Sequence, residues 1–519
     1  MTSSSLKLSN QLLVGEVLKR ASHRSPNQEA FVFNDQRITY RELDNRATNL
    51  AGWLQEQGVN QNDKVGFMLK NSIAFSEITF GTALSGGVAV PINFRLTGDE
   101  VAYILQDSDA KIVFIDDDYA DLILSIKDQL PLVEKIVVIG NNDHPTDLID
   151  YESIFTQKSN YLPCESLTDD DAGFIMYTSG TTGKPKGAVL SHKSLHINAM
   201  NIIAEGRSRY GESNLLAPPQ FHIAGLLLTI KSVLTSGKTV LLQEFDPLKI
   251  VEIIEKEKIN FMFLVPAMWN FLFQVPNISD FDLSSIKICA TGAAISPVEL
   301  KKRILKHFNN TILVDHFGQS ETTATTTCLV GEDALRKPES IGRPFMNVEV
   351  RVVDENMNDV AIGEVGEIVY RGPTVMKEYY KNQEATKAAF QGGWFRSGDL
   401  VKMDEEGFIY VVDRKSDMII SGGENIYPAE VEEVLYQMPE ILECAVFGSE
   451  DPQWGERVTA AVVVKPDHDL TEEEVIAYCE QHLANYKKPR SVEFLQELPR
   501  NTAGKVLKYK LRENVVKEN

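Results

Sequence analysis

The chain has 519 residues, 43 % of them hydrophobic and 24 % charged, a composition that does not suggest disorder and a length that leaves room for several domain-sized modules. Its formal net charge of −22 argues against nucleic acid or an anionic membrane surface as a partner. Five cysteines (Cys164, Cys289, Cys328, Cys444 and Cys479), odd in number and without C-x-x-C spacing, speak against a disulfide framework or a zinc site and for a reducing cytoplasm.

The N-terminal MTSSSLKLSNQLL has no sustained apolar run of the signal-peptide kind, and the longest apolar stretches, such as Ile223 to Leu228, are too short to span a bilayer. Thr39 and Glu42 form a capping-box pair ahead of Leu43, Ala47, Leu50 and Leu54 at helical spacing, with Gly58 as the stop. Strands are expected at Val65–Leu69, Val88–Pro91, Ile112–Ile115, Ile136–Ile139, Phe174–Tyr177, Thr239–Leu242, Phe261–Val265, Ile286–Ala290 and Ile312–Val314. Continuous apolar strands separated by helices are the pattern of parallel sheets covered on both faces, and so many strands imply two doubly wound sheets. From about 340 to 412, short alternating segments with glycine turns (VEVRVVD, GEIVYRG, GFIYVVD) predict a small β-rich, barrel-like subdomain. Residues 417–519 return to helices and strands and are long enough for a separate α+β domain. The fold expected is therefore α/β, with a large N-terminal domain over 1–413, a hinge at 414–416 and a small C-terminal domain.

The most informative stretch is Tyr177-Thr178-Ser179-Gly180-Thr181-Thr182-Gly183-Lys184-Pro185-Lys186-Gly187-Ala188, which follows a buried strand. Glycines let a backbone approach an oligophosphate and turn its N–H groups toward the oxygens. Hydroxyls add donors and Lys186 adds a mobile positive charge. The Walker spacing G-x-x-x-x-G-K-[ST] fails, because the sixth position counted from Gly180 is Pro185, and G-x-G-x-x-G fails as well. The pattern [ST]-S-G-[ST]-T-G-x-P-K-G fits, and here the chain resembles the acyl-adenylate-forming superfamily of acyl-CoA synthetases, peptide-synthetase adenylation domains and luciferases.

That resemblance implies the fold layout just described, with a C-terminal domain that reorients between half-reactions. It also implies the chemistry. A carboxylate is a poor electrophile, so the substrate attacks the α-phosphate of ATP, pyrophosphate departs, and a thiol then displaces AMP. The protein has to position two anions and neutralise their charge. Residues Thr178, Ser179, Gly180, Thr181, Thr182, Gly183 and Lys186 would hold phosphates. Asp315-His316-Phe317-Gly318-Gln319-Ser320-Glu321 is similar to the family's Y-G-x-T-E signature, with Phe for Tyr and Ser for Thr. By that match Phe317 stacks on adenine, Asp315 accepts from its amine, Gly318 belongs to the same cradle, Ser320 contacts the α-phosphate or the carboxylate, and Glu321 holds Mg²⁺. Gly292, Ala293 and Ala294 match the small-residue turn packed against adenine. Trp394-Phe395-Arg396-Ser397-Gly398-Asp399 resembles W-[FY]-x-T-G-D, which assigns Asp399 to the ribose hydroxyls and Arg414 to ribose and phosphate. Gly422 and Gly423 match the loop of the pantetheine channel. Pro499-Arg500-Asn501-Thr502-Ala503-Gly504-Lys505 matches P-x-[NT]-x-x-G-K and makes Lys505 the cation bridging carboxylate and phosphate during adenylation. The family's hinge position falls on Ser416, where Asp or Lys is usual, so the hinge residue itself stays open.

His222, in Pro218-Pro219-Gln220-Phe221-His222-Ile223-Ala224-Gly225, matches the gating histidine beside the reactive carboxylate. Amino-acid-activating members carry an acid near this place, and this chain has none, so a buried ammonium would go unpaired at a cost of several kcal/mol. Leu226-Leu227-Leu228 and Val265-Pro266-Ala267-Met268-Trp269 are apolar and without an obvious base for a second carboxylate, unless they are simply core. The expectation is an ATP- and Mg²⁺-dependent acyl-CoA synthetase for a neutral, medium- or long-chain fatty acid. The alternatives are an aryl or alicyclic acid–CoA ligase, or a stand-alone adenylating enzyme that loads a carrier-protein thiol. The partners expected are a small carboxylic acid, ATP and CoA, and the sequence sets no oligomeric state, a homodimer being one option.

Overall fold

The structure, a computed structural model, describes residues 8, 10–140, 145, 148–178, 184–294, 296–308, 310–421, 424–451, 454–466, 468–500 and 506–518. The chain divides into two compact units, the first built from Met1–Gly180, Lys184–Val350 and Tyr370–Phe395, the second from Arg351–Val369 and Arg396–Asn519.

All nine predicted strands are present in the first unit, distributed over two sheets. The seven-stranded sheet runs in the order 149–150, 135–139, 110–116, 64–68, 88–91, 172–178, 186–191, and every neighbour pair is parallel except the last. The nine-stranded sheet is parallel from Glu29–Phe33 through Lys238–Leu241, Ser213–Leu216, Phe261–Phe263 and Ile288–Gly292 to Ile312–Phe317, and antiparallel at both edges. The inner strands are buried on both faces, which is why they read as unbroken apolar runs rather than as alternation. Helix Ile73–Ser85, buried from Phe75 to its end, packs against strands of both sheets as the layer between them. Helix Tyr40–Glu56 starts at the expected capping box: Thr39 N–H donates to Glu42 Oε2 (2.8 Å) and Glu42 N–H to Thr39 Oγ1 (3.3 Å).

Both strands that carry phosphate-site motifs depart from the pure parallel expectation. Ala172–Thr178 is followed at once by its antiparallel partner Lys186–Ser191, and Ile312–Phe317 by Thr327–Val330. Each motif therefore joins two strands of one hairpin, where short connections leave backbone groups at the sheet end.

The second unit contains antiparallel strands of the β-rich segment, Trp394–Met403 pairing with Ile409–Arg414 over 399–414. Beyond it, Ile441–Asp451 and Gly455–Val464 form a long antiparallel ribbon extended by Ile419–Ser421, Glu424–Ile426 and Ser491–Phe494. One face of that sheet buries Ile419, Val431, Leu435, Val446 and Val458, the other Phe447, Ala461, Leu498 and Leu511, so the sheet is covered on both sides. Among the described residues no helix is long and apolar enough to cross a membrane.

Candidate active site

In the first unit the site starts from the hairpin 172–191. Its register sets Thr178 opposite Lys186, at the two ends of the predicted phosphate loop. Ser179, Gly180, Thr181, Thr182 and Gly183 lie outside the described residues. Both ends are tied to helix Gly98–Asp107: Tyr177 donates its hydroxyl to Asp107 Oδ2 (2.6 Å), Tyr103 donates to the Pro185 carbonyl (3.1 Å), and Lys184 Nζ stands 4.9 Å from the Tyr103 ring centre. On the other side of strand Lys186–Ser191, residues 377–380 add backbone bonds: Lys377 N–H to Val189 O (2.9 Å), Val189 N–H to Glu378 O (2.9 Å) and Tyr380 N–H to Gly187 O (2.7 Å). That pairing presents the Tyr379 ring to Lys186, whose Nζ is 5.2 Å from the ring centre, while the Tyr379 hydroxyl donates to Glu321 Oε1 at 2.9 Å.

Glu321 sits in a tight turn, Ser320–Thr322, just past the end of strand Ile312–Phe317. The turn is over-determined. Thr323 and Ala324 hold left-handed backbone conformations (φ 59° and 78°), costly for a β-branched threonine. Carbonyls of this turn are captured by Asn198, which is fully buried on helix His192–Glu205. Its amide donates to Thr322 O (3.3 Å), to Thr323 O and to Thr325 O (3.0 Å). Thr323 Oγ1 donates to Thr374 O (2.7 Å), and Met376 N–H donates to Glu321 O (2.7 Å). The Glu321 side chain is thus aimed by a frame it does not itself build.

Two glycines allow close backbone packing beside this turn. A Cβ on Gly292 would stand 2.4 Å from His316 O, its register partner, and one on Gly318 would stand 2.4 Å from Ala324 O. Ala293 follows with φ 64°, and Ala293 and Ala294 are exposed, so the predicted adenine turn lies bare next to the strand that ends in Phe317. Asp315 is buried and paired through Oδ2 with the equally buried Lys301 Nζ (2.8 Å); burial pushes its carboxyl up and the lysine opposes this.

His222 caps helix Ile223–Leu234, its Nδ1 accepting from Ala224 N–H (3.3 Å). Desolvation holds its pKa below the ordinary imidazole value, so the ring is neutral at pH 7 and carries its proton on Nε2. The loop before it is pinned by Gln220, which accepts from Ser72 N–H (2.9 Å) and donates to Ser76 Oγ (3.0 Å), and by Asn71, which donates to Pro218 O (3.0 Å). Of the two apolar runs, Leu226, Leu227, Leu228, Pro266 and Trp269 are buried, with Trp269 Nε1 donating to Ala290 O (3.3 Å), while Val265 and Met268 are half-buried and Ala267 is exposed. Lys231, on the His222 helix, is a buried base that the sequence reading passed over. Burial pushes it down to about 8, and Glu212 (3.3 Å), Asn214 (2.9 Å) and the Phe261 ring (3.9 Å) occupy it.

In the second unit Asp399 and Arg414 are register partners, and Arg414 Nε meets Asp399 Oδ1 at 2.6 Å. Ser397 supports the same turn, donating its hydroxyl to Ile368 O (2.5 Å) and accepting from Asp399 N–H (2.9 Å). Asp417 and Met418 N–H groups close a turn on the Arg414 carbonyl (3.0 and 3.1 Å). Gly422, Gly423 and Lys505 lie outside the described residues. Tyr379 and Asn198 were not legible beforehand. Neither lies in a patterned motif; a tyrosine pair near a glycine-proline turn and an asparagine inside an amphipathic helix are unremarkable signals.

A hairpin flanking the predicted phosphate loop, a buried carboxylate near its end and tightly packed small-residue turns on an α/β frame fit a nucleotide-handling enzyme. The chain belongs to the AMP-binding enzyme family, which residues 18–380 match, while residues 430–505 match the AMP-binding enzyme C-terminal domain. It is 37 % identical over 505 residues to the long-chain-fatty-acid–CoA ligase FadD13 of Mycobacterium tuberculosis, covering 96 % of this chain and 98 % of that one. It is 36 % identical over 495 residues to a feruloyl-CoA synthase of Amycolatopsis, covering 95 % and 97 %. Among solved structures, the anthranilate CoA ligase AuaEII in complex with anthranoyl-AMP superposes with a TM-score of 0.87 at 28 % identity, covering 97 % of each chain.

Proposed function

We propose that this protein is a cytoplasmic, AMP-forming acyl-CoA synthetase that adenylates a neutral fatty acid of medium or long chain and then transfers the acyl group to CoA. The observation that carries the reading is the juxtaposition of Lys186 and Glu321 through Tyr379. It keeps a cation and a carboxylate side by side at the end of the phosphate hairpin, as neutralising an oligophosphate and its metal requires. The residues fit those groups. Glu321 has one carboxylate oxygen engaged by Tyr379, lies between Ser320 and Thr322 in sequence, and is a hard ligand of the kind Mg²⁺ takes along with phosphate oxygens. Gly292 and Gly318 let the backbone pack closely against the His316 and Ala324 carbonyls, and the exposed Ala293 and Ala294 beside them leave a small-residue surface on which a flat base could rest. Bound Mg²⁺ would neutralise phosphate charge as pyrophosphate leaves.

The protein's own groups divide the remaining work. Lys186 and Thr178 bind phosphate, Phe317 and the Gly292–Ala294 turn bind adenine, and Ser320 binds the α-phosphate or carboxylate. Asp399 and Arg414 bind ribose, Lys505 neutralises the reacting carboxylate and phosphate, and Gly422 and Gly423 give a narrow thiol arm passage. Neutral His222, donating from Nε2, can orient a carboxylate without forming an ion pair that would hold it in the ground state. Because Lys231 is already paired with Glu212, no unpaired base among the described residues of that helix asks for a second substrate carboxylate. FadD13, at 37 % identity, supports a fatty acyl chain.

A second reading, an aromatic acid, is supported by the feruloyl-CoA synthase at nearly equal identity. The test is thioester and AMP formation by purified protein with ATP and Mg²⁺ over acids graded by length and ring content, with and without CoA. A CoA-dependent thioester from fatty acids alone is expected. Turnover of aryl acids alone would establish the second reading, and pyrophosphate exchange without thioester would point to a carrier-protein acceptor.

A further inference from the structure

Tyr379 lies between two groups that would otherwise neutralise each other. A lysine and a glutamate at contact distance near a protein surface attract one another and pair in the absence of ligand. Among the described residues neither Lys186 nor Glu321 has an ion pair. Lys186 Nζ rests 5.2 Å from the centre of the Tyr379 ring, and Glu321 Oε1 accepts from the Tyr379 hydroxyl at 2.9 Å. The ring gives the ammonium a weak partner that a phosphate readily replaces. The hydroxyl fixes one carboxylate oxygen and leaves the other to a metal, the way an outer-shell donor orients a ligand.

Tyr379 is itself held on both sides. Ala188 forms an antiparallel bridge with it, its N–H donates to Thr386 Oγ1 (3.0 Å), and its carbonyl accepts from Asn382 N–H (3.0 Å). Asn382 in turn caps helix Gln383–Ala389 through Ala385 N–H (2.9 Å). A surface tyrosine with only a packing role would not be braced to place its hydroxyl on a buried carboxylate.

We propose that Tyr379 is a positioning residue that holds Glu321 in its metal-binding orientation and keeps Lys186 from pairing with it, so that both charges are available to a metal-bound nucleoside triphosphate. The inference rests on the assignment of Glu321 and Lys186 to metal and phosphate. The test measures binding rather than turnover: ATP affinity by calorimetry on the full-length protein, with no metal and with Mn²⁺, the bound Mn²⁺ being read by its paramagnetic resonance. Tyr379→Phe keeps the ring and removes the hydroxyl. It is expected to weaken Mn²⁺–ATP binding by about tenfold, the loss of a hydrogen bond to a charged group, and to leave metal-free ATP unchanged. Tyr379→Leu is expected to weaken metal-free ATP as well, because Lys186 is then drawn to Glu321. Parental Mn²⁺–ATP affinity in Tyr379→Phe, or equal weakening with and without metal, overturns the proposal. Glu321→Gln separates the two levels: if it leaves Mn²⁺–ATP affinity intact, the metal assignment itself falls. If it weakens that affinity while Tyr379→Phe does not, only the role of Tyr379 falls.

Discussion

Replacing Asn198 by alanine tests whether the turn that aims Glu321 depends on a side chain more than 120 residues earlier in the chain. Asn198 is fully buried, and its amide serves the carbonyls of Thr322, Thr323 and Thr325. Its Oδ1 accepts from Asn201 Nδ2 and Thr325 Oγ1, both at 3.3 Å. Truncation strands at least two buried carbonyls, each worth about 1–2 kcal/mol when left unsatisfied. It also removes what compensates the left-handed Thr323 and Ala324, whose strain is of order 1 kcal/mol each. The expected local loss is about 3 kcal/mol, which converts to roughly a hundredfold faster amide exchange across 320–325 if the turn opens independently of the rest. Because Glu321 loses its frame, pyrophosphate exchange should fall by about 10–100-fold in parallel. Hydrogen exchange read by mass spectrometry reports the first quantity and radiolabelled pyrophosphate the second. Exchange in 320–325 within about threefold of the parent would refute the frame argument, whatever happened to activity.

Gly292→Ala places a Cβ 2.4 Å from the carbonyl of His316, forcing apart two paired strands at a cost of about 1–3 kcal/mol. It should weaken ATP at least tenfold, and an unchanged calorimetric affinity would remove the turn from the nucleotide site. Stability should also depend on pH through His192, His196 and His316, all buried and all pushed down to about 4 by desolvation, with the nearby Asp169 and Asp171 only partly offsetting this at His192. Their folded values lie below the ordinary 6.5, so their contribution is intact above pH 6.5 and is lost as the pH falls from 6.5 toward 4, by up to about 3 kcal/mol per ring. Urea midpoints at pH 7, 6 and 5 should fall in sequence, and a flat series would refute the assignment of these rings as neutral.

Local signals carried far in this chain because they answer to local physics. The Thr39–Glu42 capping box formed as expected, since both partners lie within one turn. The nine apolar runs became strands because a strand covered on both faces has no polar alternative. Cys289 is buried, its thiol pushed up to about 12, in keeping with a core cysteine. The proposed phosphate motif stands out for another reason: holding an oligophosphate demands glycines, hydroxyls and lysine at close quarters in sequence.

What only the tertiary structure decided are relations between distant segments. The antiparallel turn-back at Lys186, the pairing of 377–380 with that strand, and the descent of Asn198 onto the Glu321 turn all depend on which elements share an edge, and composition does not encode this. The same holds for Lys231, a lysine whose charge is cancelled by Glu212 from a neighbouring strand end, so that a residue which reads as exposed or functional is in fact buried and paired. Residue types within a motif are dictated by the ligand they touch. The residues that aim them are dictated by packing across the fold, and an aiming role leaves no periodic or compositional mark.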